Sequence, residues 1–240
     1  DEDVLHFNIG SPLELPDTQI NVDLKRLTER SVGVFGKSGT GKSYLTRILL
    51  AGTIAHHTAV NLVFDMHNDY GWQVINEDGG IDKGLKQLFG QRVAIFTLDD
   101  ESSRRRGVRP DFVVRLAYSE IEPEDLAALR LTMDLSDTML DAAYNLRRRW
   151  GRGWIQTLLT AAPEVLEELL AETTINAAAL SALTRRLERF QRFEFLTPQP
   201  TGDSVQEILR YIENGISVIL EFGRYGNALE AYVLVANSLT

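Results

Sequence analysis

No cysteine occurs among the 240 residues, and that single absence removes disulfides, zinc–thiolate centres and thiol catalysis. A chain without disulfides suits a reducing compartment, so a cytoplasmic location is expected. No apolar run reaches the ~18 residues that a membrane span needs, and Asp1-Glu2-Asp3 at the start is the reverse of a secretory signal. No membrane association is expected. An initiator Met is lacking too, which reads as a piece excised from a longer protein. Positive charge is scarce: 25 Lys and Arg face 34 Asp and Glu, a net charge of −9. Overall charge therefore argues against a generally basic nucleic-acid binder. The scarcity is uneven, however. Residues 104–193 hold 14 Arg, no Lys and 13 acids, leaving 11 cations and 21 acids for the remainder. Neither a Ser-His-Asp or Cys-His set nor a metal-ligand cluster is evident, so nucleophilic hydrolases and zinc enzymes are poor candidates.

What is present is a core and a loop. An apolar content of 44 % supports a sizeable interior, and the length allows one large domain or one domain carrying an insertion. The loop is Gly36-Lys37-Ser38-Gly39-Thr40-Gly41-Lys42-Ser43, which fits the phosphate-binding pattern G-x-x-x-x-G-K-[ST]. Before it, Ser31-Val32-Gly33-Val34-Phe35 has the composition of a buried strand, and Tyr44 to Ala55 after it has helical spacing. A strand-to-helix junction leaves unpaired backbone N–H groups at the positive end of a helix, where an anion is stabilised. The three glycines let the backbone curl around phosphate oxygens. Lys42 is expected on the β- and γ-phosphates, with the Ser43 hydroxyl on Mg²⁺. The cofactors expected are thus ATP and Mg²⁺, held by residues 36–43 with Tyr44 beside them.

The rest of the chain supplies context. Residues 4–9 and 19–24 read as two strands of an N-terminal hairpin. Val60 to Phe64 is another strand, ending in Asp65-Met66-His67-Asn68-Asp69-Tyr70-Gly71. Acids at the C-terminal edge of a parallel strand fall in the crevice where open α/β sheets bind ligands; the bland alternative is an acidic turn. Residues 81–89 read as a short helix and 92–98 as a strand. Residues 99–110 look like an exposed loop containing Arg104, Arg105 and Arg106, and 111–118 like an edge strand. From Glu122 to Phe193 only helices are signalled, which suggests an insertion of about 70 residues. Strand and helix signals then resume. The expected fold is α/β with a mainly parallel sheet, an N-terminal β-hairpin and an inserted helical bundle. Its parts are a first core segment at 1–118, the insertion at 119–195 and a resumed core at 196–240. The insertion is expected to stand apart from the sheet and to contribute nothing to the nucleotide pocket. Within it, Arg147, Arg148 and Arg149 adjoin Trp150 and Trp154. Such a mixture serves nucleic-acid or subunit contacts, or else the two Trp residues share a buried face with the Arg residues in solvent.

The chain resembles the HerA-type DNA translocases, relatives of the FtsK motor ATPases. The resemblance rests on I-G-S-P at 9–12 ahead of I-N-V-D-L-K-R-L at 20–27, V-F-G-K-S-G-T-G-K-S at 34–43 and V-F-D-M-H-N-D-Y at 63–70. It covers roughly residues 5–98 and, more loosely, 203–240. It implies a RecA-like P-loop NTPase fold, self-association into a hexameric ring, and ATP hydrolysis that drives translocation on double-stranded DNA. On the matching positions, Lys42, Asp65, His67 and Asp69 would be catalytic, with Ser43 and Asp65 at the metal. Arg104–Arg106 and Arg147–Arg149 are the candidate DNA contacts. Met66 departs from the family's Pro, and Asn68-Asp69 from its Gly-Glu. The family's later acidic strand could only be Ile216–Glu221 here, which lacks a second acid beside Glu221. That element and an arginine finger are therefore expected beyond Thr240. Two other readings share the loop: an assembly module that recruits a nuclease or effector with little turnover, and a P-loop kinase.

Overall fold

A computed structural model describes residues 6–75 and 79–239. The alternation of the first segments produces β1 (His6–Gly10) and β2 (Ile20–Asp23), an antiparallel pair with Phe7 opposite Val22. Residues 4 and 5, assigned to that first strand by sequence, lie outside the described residues. The Asp23 carboxylate accepts from Arg26 N at 3.0 Å and so starts α1 (Leu24–Glu29). The strand expected at Ser31–Phe35 does not form: the segment has no ladder partner, with Val32 57 % and Phe35 93 % exposed. Its composition favours a strand, but a strand exists only through pairing, and among the described residues no neighbour supplies it.

After the phosphate loop come α2 (Lys42–Ala55), β3 (Leu62–Asp65), and the antiparallel pair β4 (Val74–Ile75) and β5 (Ile81–Asp82). The helix expected over 81–89 is confined to α3 (Leu85–Phe89), followed by β6 (Val93–Thr97). The expected loop at Arg104–Arg106 is instead the end of α4 (Asp100–Arg105), capped by Asp99 with Asp100 and Glu101 in its first turn. Residues 111–118 break into β7 (Phe112–Val113) and β8 (Leu116–Ala117). Six helices follow: α5 (Pro123–Ala128), α6 (Arg130–Met133), α7 (Asp137–Trp150), α8 (Trp154–Thr160), α9 (Pro163–Glu172) and α10 (Ala177–Glu188). Their starts are chemically marked, by Pro123 and Pro163 in first turns and by Ser136 and Asn176 as side-chain caps. The chain closes with β9 (Leu196–Thr197), α11 (Ser204–Glu213), β10 (Ser217–Glu221) and α12 (Leu229–Leu239).

The central sheet is wholly parallel, in the order β3-β10-β6-β7. Its middle strands, V-A-I-F-T and S-V-I-L-E, are buried along their whole length, as strands covered on both faces must be. Neighbouring side chains alternate between the faces. Ile219 packs with Ile54, Leu85 and Val93 under α2 and α3. Val218 and Leu220 enter the larger cluster on the other face.

That larger cluster corrects one expectation. The helices between β8 and β9 do not stand apart: Leu126, Leu146, Trp154 and Leu187 share one buried core with Phe96, Leu220 and Leu234. An amphipathic helix requires a surface for its apolar stripe, and this face of the sheet provides one. The parallel pairing of β8 with β9 gathers the two ends of the helical segment. Ser204 reinforces the closure, accepting from Arg115 N at 3.1 Å and donating to Arg115 O at 2.7 Å.

Candidate nucleotide-binding site

The loop before α2 is bent by glycine. Gly39 and Gly41 have φ of 77° and 81°, the left-handed region that side chains with a Cβ disfavour. Thr40 Oγ1 donates to the Lys37 carbonyl at 2.8 Å. Gly41 caps α2, and no side chain takes the free amides of that first turn. A 14-residue helix therefore directs its positive end into the adjoining space. Lys42 Nζ folds back onto the Lys37 carbonyl at 2.6 Å, so the cation is held at the loop.

A second element faces the loop. Asp65 ends β3 almost wholly buried, and its carboxylate accepts the amides of Asp69 and Tyr70 at 2.8 Å and Gly71 at 3.3 Å. These bonds gather residues 66–71 into an arch. Burial pushes the Asp65 carboxyl above its ordinary range, while the three amide bonds pull the other way. Asn68 adopts a left-handed φ of 59°, and its side-chain oxygen accepts from Gly223 N at 3.2 Å. The arch delivers Asp69 to the loop, where Ser43 Oγ donates to Asp69 Oδ2 at 3.0 Å. Arg47, buried on α2, donates to the Asp69 carbonyl and lies 3.8 Å from the Asp82 carboxylate. Burial also raises the Tyr70 phenol, while the Thr46 and Ser43 hydroxyls pull the other way.

Between these elements lies a cleft of ≈ 470 Å³. The loop and α2 contribute Ser38, Gly39, Gly41, Lys42, Ser43, Tyr44 and Arg47, and the facing side Asp69, Val74 and Asp82. Of the residues singled out by sequence, Gly36, Lys37 and Thr40 shape the loop without lining the cleft. Asp65 lies beneath the arch rather than in the wall, and His67 is exposed. No residue from 119–195 lines it. Sequence reasoning missed Arg47, Tyr70 and Asp82. A cation on the inward side of α2, five residues after Lys42, was the available signal for the first.

Oxygen donors suited to a divalent cation converge where Ser43 meets Asp69. Among the described residues no group of three or more His, Cys, Asp or Glu could hold a metal by itself. A hydroxyl and one carboxylate fit Mg²⁺, which takes its remaining ligands from water and phosphate oxygens.

The acid in doubt at the sequence level, Glu221, ends the strand between β3 and β6, level with Asp65 on one side and Thr97 on the other. It is fully buried and bonded to Arg106 and Ser103. Arg106 thus turns inward, a correction to its expected place among outward-facing cations. Arg104 and Arg105 stay exposed, paired with Asp100 and Glu101 one helical turn earlier. Arg147 binds Glu122 and Arg149 binds Glu172, while Arg148 is exposed. Trp154 belongs to the core and donates to the Ile121 carbonyl at 3.1 Å.

The family model described as "Helicase HerA, central domain" matches residues 7–239. No curated protein and no solved structure matches the chain.

Proposed function

Because the chain belongs to the family of HerA central domains, a family of P-loop ATPases with a RecA-like fold, we propose that it is the ATP-hydrolysing motor core of a translocase acting on double-stranded DNA. The observation that carries the catalytic part is the Ser43–Asp69 hydrogen bond, which joins the phosphate loop to the acid delivered by the next strand.

The residues take distinct roles in this reading. The free amides at the start of α2 receive the phosphates, and Lys42 exchanges the Lys37 carbonyl for β- and γ-phosphate oxygens. Ser43 and Asp69 would hold Mg²⁺, which would supply positive charge against the phosphate oxygens. Asp69, facing the cleft, also orients the attacking water and accepts its proton. Asp65 acts through the arch, because the arch's own amides occupy its carboxylate. His67 is a solvent-side neighbour of the γ-phosphate. Tyr44, 59 % exposed at the cleft's mouth, marks a side that a second copy would close in a ring, with a hexamer as the assembly.

An acidic chain of net charge −9 does not hold DNA by overall charge, so local cations must present themselves. Arg104, Arg105 and Arg148 are the contacts we favour. The ion pairs of the first two are exposed i,i+4 pairs screened by water and salt, so phosphates can displace those partners.

Calorimetric titration of Lys42→Ala with Mg·ATP tests the site. Removing the loop's cleft-lining cation should weaken binding on the order of 100-fold while the protein stays folded. Unchanged affinity would remove the nucleotide assignment.

A further inference from the structure

We propose that Arg106 and Glu221 are a positioning pair for the nucleotide site: together they fix the height of the arch that carries Asp69. The proposal rests on the nucleotide reading above and adds to it two residues that touch neither nucleotide nor metal.

The geometry begins with a conflict of charges. Asp65 and Glu221 are opposite one another on adjacent parallel strands, 1 % and 0 % exposed. Two carboxylates buried side by side oppose each other's ionisation. The cation bonded to Glu221 is Arg106, whose Nη2 donates to Oε2. Ser103 Oγ approaches the same oxygen at 3.4 Å and also meets Thr97 Oγ1 at 2.9 Å. One side of the carboxylate is thereby anchored. The other oxygen, Oε1, is buried and has no hydrogen-bond partner.

That oxygen lies directly under the arch. A Cβ built on Gly71 would stand 2.8 Å from it, so Gly71 rests on Glu221 with no room for a side chain. Gly71 N is one of the three amides bonded to Asp65. Asp65 thus draws the arch in by hydrogen bonds, and Glu221 limits how far it can descend. Position 69, two residues along, inherits the result and meets Ser43.

Arg106 is required because a buried charge that loses its partner must find another. Gly71, which rests against Oε1, already donates its amide to Asp65. Without Arg106, Glu221 therefore competes with Asp65 for the arch, and Asp69 is displaced. Neutral Gln at 221 has the same shape, fills the same space beneath Gly71 and needs no cation.

Four variants of the whole chain test this: Arg106→Met, Glu221→Ala, Glu221→Gln, and Arg106→Met combined with Glu221→Gln. Amide hydrogen exchange is read in the nucleotide-free protein, with ATP affinity and turnover in parallel. Arg106→Met and Glu221→Ala should speed exchange at Asp69, Tyr70 and Gly71 by roughly 10- to 100-fold, with β6 amides unchanged. Their kcat should fall while ATP affinity stays within about threefold of the parent, as expected when an aligned group is misplaced. Glu221→Gln and the double variant should remain near the parent. A double variant as disturbed as Arg106→Met would overturn the pairing, and unaltered arch exchange in Glu221→Ala would overturn the support. The exchange readout is made without nucleotide, so a protein that failed to bind ATP would refute the nucleotide reading and still judge the pair.

Discussion

The two faces of the parallel sheet are built for different work. Beneath α2 and α3 the buried cluster is small: Ile54, Leu85, Val93 and Ile219, with a few partly buried neighbours. On the opposite face the core runs from Ala94 and Phe96 through the helices of the 119–195 segment to Val235 on α12. A fully buried large apolar side chain contributes about 1.5–3 kcal/mol, so most of the stabilising burial lies away from the cleft. The phosphate loop, Arg47 and Tyr70 of the arch belong to the thinly packed side, while Met66 at the arch's start packs on the other. A lightly buried element opens at small cost, which suits groups that must exchange partners, as Lys42 must leave the Lys37 carbonyl. The difference suggests that chemistry and stability can be altered separately.

Asp69→Asn should give the largest effect on the thin face. The amide keeps the shape but supplies neither a base nor a charged ligand, so turnover should fall on the order of 10²–10⁴-fold. ATP binding and the thermal midpoint should hold. Asp65→Asn should slow turnover as well, through weaker bonds to the arch amides. Normal turnover by both variants would reduce the motif to a structural turn.

Trp154→Ala probes the thick face. Its ring is fully buried and its Nε1 bonds the Ile121 carbonyl, so about 3–5 kcal/mol of stability should be lost. Urea unfolding measures that loss. Titration of the fraction that remains folded should show parental ATP affinity. If affinity fell with stability, the two faces would be coupled, and the separation drawn above would be wrong.

How much of this could be read from the sequence follows from the range of the physics involved. The phosphate loop was legible because its demands are local: positive φ at Gly39 and Gly41 and a cation at the first helical position. Helix starts at Ser136 and Pro163 were equally local. α4 was legible in principle, since Asp99, the acids after it and the arginines at its end form a complete set of start and stop signals. Pairing is not local. Val32 to Phe35 has strand composition, but nothing in those residues says whether a neighbouring strand exists. The helical signals from Glu122 to Phe193 likewise carried no sign that the sheet would receive those helices. The Arg106–Glu221 contact spans 115 positions. Neither residue carries a mark of the other, so Arg106 reads as one of three surface cations until the fold turns it inward.

The smallest effect expected is a pH dependence arising where the two faces meet, at the ends of β3 and β10. Burial raises the Asp65 and Glu221 carboxyls above the ordinary 3.8 and 4.5. For Glu221, Arg106 and Ser103 oppose that rise, while the Asp65 charge adds to it. A carboxyl whose folded pKa is raised binds more protons when folded than when unfolded. Its contribution is therefore fully present below about pH 4 and is lost as pH climbs through the folded value, each unit of displacement corresponding to about 1.4 kcal/mol. Glu221→Gln cannot titrate, so the stability of the parent relative to this variant should decline from pH 4 upward and then level off. Urea midpoints for the two proteins at several pH values between 4 and 8 give the difference directly, with titrating groups distant from Glu221 cancelling. A difference that instead grows with pH would mean that Arg106 outweighs burial and holds Glu221 below its ordinary value. The buried acids would then stabilise the sheet edge in the charged state, and the thin face would be more firmly built than its apolar packing indicates.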